Sequence, residues 1–177
     1  KLVITSATIN VDRFADFFGG APIIEIPGRS YPISVEYLSG EEGLHTGISQ
    51  ALDQILKYPL SNARDVLVFL SGEREIFEAA KFLRQRYQEQ LEILPLYSRL
   101  RVSDQEKIFA TTGKLRRVIL ATNVAETSIT VPNIGYVIDP GNARIKRYSY
   151  RSKLERLPVE AISRASADQR KGRCGRV

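Results

Sequence analysis

The chain has 177 residues, 43% of them hydrophobic, and a formal net charge of +6 at pH 7, which suits one α/β domain with a proper core. No apolar run approaches the roughly 18 residues that a membrane span needs, and no charged segment followed by an apolar one opens the chain, so neither a membrane span nor a secretory signal is indicated. The single cysteine excludes an internal disulfide and predicts a reducing, cytoplasmic location.

Apolar runs alternate with amphipathic segments along the chain. In order, they predict a helix over 10–18, strands over 23–26 and 33–37, a helix over 44–57, a strand over 66–70, a helix over 73–88, a strand over 91–96, a helix over 103–109, strands over 116–122 and 135–138, and a helix over 165–175. We expect a linker between Pro27 and Pro32. This alternation predicts a mostly parallel sheet with crossover helices.

Small polar residues follow three of the apolar runs. Ser6 and Thr8 follow the run at 2–4, and the later runs are followed by Ser71 and Gly72, and by Thr122 and Asn123. In open α/β sheets, ligands bind at the carboxyl ends of the strands. Hydroxyls, an amide and backbone N–H groups at that edge can hold phosphates without reading a base sequence.

Positive charge is concentrated near the C-terminus. Residues 142–177 hold eleven Lys or Arg against three acidic residues. Within 142–157, tyrosines are interleaved with the bases Arg144, Lys146, Arg147 and Arg151. A basic, aromatic-rich β-hairpin of this kind is typical of contact with single-stranded nucleic acid. The alternative is a charged, solvated hairpin face.

The segment 169–176 reads QRKGRCGR. On a helix, the spacing of Gln169, Arg173 and Arg176 places them on one face. Two guanidinium groups and an amide suit a polyphosphate that loses its terminal phosphoryl group. The alternative is a solvated basic end of a helix.

Four segments together resemble a known family. Residues 6–8 (SAT), 69–72 (FLSG), 121–128 (ATNVAETS) and 169–176 resemble motifs III, IV, V and VI of superfamily 2 helicases, specifically the DEAH-box RNA helicases. The resemblance covers essentially the whole chain. It implies that residues 31–177 form the second RecA-like domain, an α/β fold of the P-loop NTPase type with an inserted β-hairpin near the C-terminus. Residues 1–30 would be the end of the first RecA-like domain and the linker.

The resemblance also implies an ATPase half-site. Gln169 would orient the attacking water, while Arg173 and Arg176 would act as arginine fingers. Phe109 would lie against the adenine ring, and Thr130 would contact the nucleotide. Relatives often carry an aspartate for the ribose two residues after that threonine, where this chain has Pro132.

For the nucleic acid, the resemblance implies single-stranded RNA, or a duplex with an overhang, as the partner. Its phosphates would be held by Ser71, Gly72, Thr122 and Asn123, with the basic hairpin directed toward the point where strands part. Ser6 and Thr8 would couple hydrolysis to movement.

The sequence contains neither a G-x-x-x-x-G-K-[ST] phosphate loop nor an Asp-Glu-Ala-His motif. In the family both precede motif III, so the resemblance implies that ATP and Mg²⁺ are held largely by a first RecA-like domain in the same polypeptide. The chain alone should then be inactive. Two other functions stay open: a nucleic-acid-binding module without its own ATPase, and a superfamily 2 helicase directed at DNA. Only a protein contact to the 2′-hydroxyl would distinguish RNA from DNA as the substrate.

Overall fold

Four parallel strands form the centre of the structure, in the order β2-β3-β1-β4. The computed structural model describes residues 2–5, 11–25, 31–39, 42–59, 64–110, 113–151 and 153–175. The sheet strands are β1 (Asp65–Phe69), β2 (Leu91–Leu96), β3 (Arg116–Ala121) and β4 (Ile134–Ile138). Strands β1 and β3 have buried side chains at every position, as central strands of a parallel sheet covered on both faces require.

Helices cover both faces of this sheet. The helices of the structure are α1 (Val11–Phe17), α2 (Leu44–Ile55), α3 (Glu73–Tyr87), α4 (Val102–Phe109), α5 (Val124–Thr127) and α6 (Arg164–Lys171), with a 3₁₀ turn over Gln88–Gln90. Helix α1 buries none of its residues. Alternate strand side chains point to opposite faces. One face buries Val66, Val68, Val118 and Leu120 against α2 and α3. The other buries Leu67, Phe69, Ile119 and Ala121 against Ile108 of α4, Ala125 of α5 and Val131.

A two-part antiparallel hairpin follows β4. Its outer part pairs β6 (Arg147–Ser149) with β7 (Leu154–Arg156), and its inner part pairs β5 (Asn142–Arg144) with β8 (Val159–Ala161). The predicted hairpin is therefore present and extends past residue 157 to Ala161. The α/β fold with a mostly parallel sheet is confirmed. Within the described ranges, no helix is long and apolar enough to cross a membrane.

Three predicted elements are corrected. Residues 21–25 and 31–39 form no strand, although they are rich in β-branched side chains. Ile23 and Ile24 are exposed, and neither segment pairs with the central sheet, whose edge strands are β2 and β4. The last helix ends at Lys171 instead of 175, because Gly172 caps it and the chain then turns.

A buried ion pair joins the starts of β1 and β3. The guanidinium of Arg117 donates to one carboxylate oxygen of Asp65 at 2.6 and 2.8 Å, and its backbone N–H donates to the other at 3.0 Å. Both side chains are almost completely buried. The same guanidinium also donates to the carbonyl oxygens of Ile108 and Ala110 at 2.7 and 2.8 Å, and to that of Pro132 at 3.4 Å. One side chain thus fixes the end of α4 and the loop before β4 to the sheet.

We predict that Asp65→Asn destabilises the domain strongly, because it leaves the Arg117 guanidinium buried without its counter-charge. Breaking a buried pair by removing one partner costs about 3–5 kcal/mol of unfolding free energy, which urea denaturation measures. Glu78→Gln is the matched control, since it removes one carboxylate from the exposed pair with Arg74. Equal unfolding free energies for the two variants would contradict the prediction.

Candidate functional site

The polar residues that follow the strands lie along one edge of the sheet, because the strands are parallel and end together. Leu70 N–H donates to the carbonyl of Ala121 at 2.8 Å, and Thr122 N–H donates to that of Leu96 at 3.3 Å, so the pairing continues past the strand ends. The structure therefore brings Ser71, Gly72, Thr122 and Asn123 to a single edge, as predicted from the strand pattern. Thr122 is half-buried and Asn123 is exposed.

The segment between β1 and α3 is covered by neighbouring side chains. Ser71 is only 6% exposed, and its N–H and hydroxyl donate to the carboxylate of Glu75 at 3.0 and 2.5 Å. Gly72 lies under the side chain of Arg144, since a Cβ at this glycine would be 2.9 Å from the Arg144 Nε. The first base of the hairpin is thereby brought to the same edge. At this point of the edge Arg144 is exposed, whereas the Ser71 hydroxyl is buried and bonded to Glu75.

Arg170 is the centre of a buried ionic cluster that the sequence analysis did not identify. It is 1% exposed; its Nε donates to Glu126 and its Nη1 to Asp139, both at 2.9 Å. Its guanidinium carbon lies 4.7 Å from the centre of the Phe69 ring. Glu126 also accepts the hydroxyl of Ser166 at 2.6 Å. These contacts fix α5, α6 and the loop after β4 to one another and to β1.

Arg173 lies in the turn after α6, so the prediction that it shares a helix face with Gln169 is wrong. It is 8% exposed, and it donates to the backbone carbonyl of Glu126 and, at 3.3 Å, to that of Ile129. Thr130, the next residue, is exposed. Arg173 therefore reaches the motif V segment because it lies in the turn after α6, and not because it lies on a face of that helix.

Cys174 lies beside this arginine and packs against the core cluster of the same sheet face. Its thiol donates to the carbonyl of Lys171 at 3.1 Å. Burial raises the pKa of the thiol, which keeps it protonated at neutral pH. It is a packing residue of the turn.

Phe109 ends α4 and is 44% exposed, while the carbonyls of the residues before and after it accept hydrogen bonds from Arg117. Asn133 adopts a left-handed conformation with φ 63°, and its carbonyl accepts the N–H of Asp65 at 3.0 Å. Pro132 and Asn133 thus connect the starts of β1 and β4. Pro132 stands where the resemblance implied an aspartate for the ribose.

Three of the predicted nucleotide-site residues are chain neighbours of residues that pack on one face of the sheet. Ile108, Ile129 and Cys174 pack into the core cluster of that face, and their chain neighbours are Phe109, Thr130 and Arg173. Gln169 is half-buried in α6, next to Arg170. Ser6, Thr8 and Arg176 lie outside the described residues. Among the described side chains, no group of three or more His, Cys, Asp or Glu converges as a metal site would require.

The hairpin bases are partly paired within the hairpin itself. Lys146 lies 2.7 Å from Glu155, and Arg147 lies 2.7 Å from Glu160 and lowers the pKa of that carboxyl. These pairs are exposed, so they hold the bases only weakly and leave them able to exchange a carboxylate for a phosphate. Arg151 is exposed in the turn of the hairpin, and Tyr148 and Tyr150 are exposed with ring centres 5.1 Å apart.

Comparison with known proteins identifies the family. The profile of the helicase conserved C-terminal domain matches residues 48–177. The whole chain aligns with an ATP-dependent RNA helicase HrpA homolog of Haemophilus influenzae at 54% identity and with the ATP-dependent RNA helicase HrpA of Escherichia coli at 51%, and it spans 14% of the length of each. A probable ATP-dependent RNA helicase of Homo sapiens is 43% identical over the whole chain, which spans 17% of that protein.

The fold is shared with a solved helicase structure. The crystal structure of the Escherichia coli DExH-box NTPase HrpB superposes on 97% of this chain with a TM-score of 0.84 and 34% identity, and the chain covers 21% of that structure. A second crystal structure, of the Escherichia coli DEAH/RHA helicase HrpB, gives a TM-score of 0.83. The resemblance inferred from the four motifs is confirmed, and the chain belongs to the helicase conserved C-terminal domain family of the DEAH-box helicases.

Proposed function

We propose that residues 31–177 are the second RecA-like motor domain of an ATP-dependent DEAH-box RNA helicase, and that residues 1–30 are the end of the first such domain and the linker. The observation that carries the proposal is the junction of α5 with α6. Through Glu126, the short helix that follows Thr122 and Asn123 is joined to both Arg170 and Arg173. A phosphate-binding edge and an ATPase half-site therefore share one rigid element.

On the nucleotide side, this chain contributes an adenine platform and charge stabilisation. The exposed ring of Phe109 is available for stacking, and Thr130 is exposed beside the arginine turn. Gln169 orients the attacking water, while Arg173 and Arg176 stabilise the charge that develops on the transferred phosphoryl group. In the proposed holoenzyme, the first domain would hold Mg²⁺, which would supply neutralisation of phosphate charge. The residues that this chain contributes therefore form one half of an ATP site shared between the two domains.

On the RNA side, contacts are made to phosphates. Gly72, Thr122 and Asn123 offer backbone and side-chain donors at the sheet edge, and Arg144 adds a guanidinium over Gly72. Ser71 can bind an RNA phosphate only when its N–H and hydroxyl release the Glu75 carboxylate. While they stay bonded to Glu75, Ser71 positions the loop between β1 and α3. Lys146, Arg147 and Arg151 extend the positive surface along the hairpin. Such contacts bind backbone and do not read bases.

In the full-length enzyme, Arg173→Ala should lower RNA-stimulated ATP turnover by roughly 10³-fold, because the transition state loses an arginine finger. RNA affinity should be kept. The matched control is Lys171→Ala, which removes an exposed cation two residues away whose ammonium pairs with Asp168 at 2.8 Å. Turnover should be measured at saturating RNA. A variant with normal turnover and weakened RNA binding would make Arg173 an RNA ligand.

Arg170→Ala should act differently, although it neutralises an arginine of the same motif. It leaves Glu126 and Asp139 close together without the cation between them, and removing one member of a buried ionic cluster costs about 3–5 kcal/mol. We expect a lower thermal midpoint together with loss of both turnover and RNA binding. An Arg170→Ala enzyme of normal thermal midpoint but abolished turnover would instead assign this arginine to catalysis.

Neutralising the hairpin should separate unwinding from hydrolysis. With Arg144, Lys146, Arg147 and Arg151 changed together to Ala, duplex unwinding at saturating RNA should fall more than ATP turnover. The salt slope of RNA binding should flatten by up to about 0.7 per lost phosphate contact on single strands. A matched neutralisation outside the hairpin uses four other exposed cations, Lys57, Lys81, Arg86 and Lys114. Equal losses of unwinding and turnover in the hairpin variant would make the hairpin structural only.

A further inference from the structure

The turn that carries Arg173 is held from one side by motif V. After α6 ends, residues 172–175 form a turn, and Arg173 donates to the carbonyls of Glu126 and Ile129. Within the turn, the Arg173 N–H donates to the carbonyl of Arg170 at 3.1 Å and the Cys174 N–H to that of Lys171 at 3.3 Å, so the turn is attached to the end of α6. Its position, and hence that of the arginine, also depends on the residues that pack against it.

The other side of the turn is held by the segment 31–39. This segment has no regular secondary structure, and all of its residues except Ile33 are exposed. Tyr31 N–H donates to the carbonyl of Gly175 at 3.1 Å. The backbone hydrogen bond and the half-buried isoleucine are thus the points at which this segment meets motif VI.

Gly175 has no room for a side chain. It is buried, and a Cβ built on it would lie 2.8 Å from Cδ1 and 3.2 Å from Cγ1 of Ile33, and 3.3 Å from the carbonyl oxygen of Tyr31. The first two contacts involve a side chain that can rotate, but the third involves backbone. Gly47 offers a contrast, since a Cβ built there meets nothing within 4 Å.

We propose that Gly175 is a positioning residue for ATP turnover: its missing side chain lets Ile33 and the Tyr31 backbone close on the turn and fix the direction of Arg173. The segment that leads into this domain and the arginine turn then move as one unit. A displacement of the segment is transmitted to the arginine two residues before the contact. This inference rests on the proposed role of Arg173 in hydrolysis.

The test uses the full-length enzyme and four variants: Gly175→Ala, Ile33→Ala, the double variant, and Gly47→Ala as the control for adding a methyl group to a glycine. Gly175→Ala should lower RNA-stimulated turnover by roughly 10- to 100-fold, as a misplacement of about 1 Å does. Gly47→Ala should keep the wild-type rate. Ile33→Ala removes the two atoms that the new methyl group meets, so the double variant should recover most of the loss, as the non-additivity of residues in contact requires.

Hydrogen exchange at the Tyr31 amide, measured by mass spectrometry on a peptide that contains it, gives a readout independent of turnover. Exchange should accelerate about tenfold or more in Gly175→Ala as the amide opens, and should return toward the wild-type rate in the double variant. Unchanged exchange and turnover in Gly175→Ala would overturn the proposal, as would a loss of turnover that Ile33→Ala does not relieve. If Arg173→Ala retains full turnover, the proposed role of Arg173 in hydrolysis fails. In that case, accelerated exchange in Gly175→Ala would still show that Gly175 packs against Tyr31 and Ile33. The positioning role of Gly175 in hydrolysis would nevertheless be overturned.

Discussion

The buried cluster around Arg170 is the interaction on which the arrangement of this domain depends. Helices α5 and α6 have four and eight residues, and helices this short do not persist on their own. They are held because one guanidinium bridges Glu126 and Asp139 and lies over the ring of Phe69. Burying that charge without both carboxylates would be strongly unfavourable, so the cluster forms completely or the two helices separate. Apolar packing alone could not give this all-or-none geometry.

A second buried arginine performs the same task at the other end of the sheet face. Arg117 joins Asp65 to the carbonyls around Phe109 and to Pro132, while Arg170 joins the elements at the carboxyl ends of the strands. The apolar side chains of β1 and β3 fill the space between them. Among the described residues, four arginines are buried and donate to loop or helix-end carbonyls: Arg116, Arg117, Arg170 and Arg173. The exposed arginines of the hairpin, such as Arg144 and Arg151, form a separate set that can meet phosphates.

Sequence patterns predicted the central sheet well, because each strand is a short apolar run whose burial is decided locally. The predicted strand at 91–96 agrees with β2, and the other three differ by one residue at their ends. The run at 33–37 has the composition of a strand, but its backbone finds no partner in the central sheet, and pairing is decided by distant residues. The helix expected to reach 175 ends early because Gly172 caps it and the following turn is stabilised by contacts with residues 31–33.

The roles of the arginines within motif VI could not be predicted in the same way. Nothing local distinguishes Arg170 from Arg173, since both stand in the same run of bases and glycines. What separates them is the set of partners of Arg170, which lie 44 and 31 residues away in the sequence. Only the folding of β4 and α5 beside α6 brings those carboxylates to the arginine. The resemblance to a helicase family supplied the functional assignment, and the three-dimensional contacts supplied the structural one.

Under the proposed function, two ligands on different surfaces would influence each other through Glu126. Its carboxylate holds Arg170 and Ser166, its carbonyl holds Arg173, and it lies three residues after Asn123 at the sheet edge. A phosphate that draws Asn123 and a nucleotide that draws Arg173 would both move the same single turn of helix. Because that turn is fixed to the buried Arg170, it can move only together with α6, as a rigid unit. Each ligand then favours a domain position by the contacts that it gains there, and coupling between the two requires no change in secondary structure.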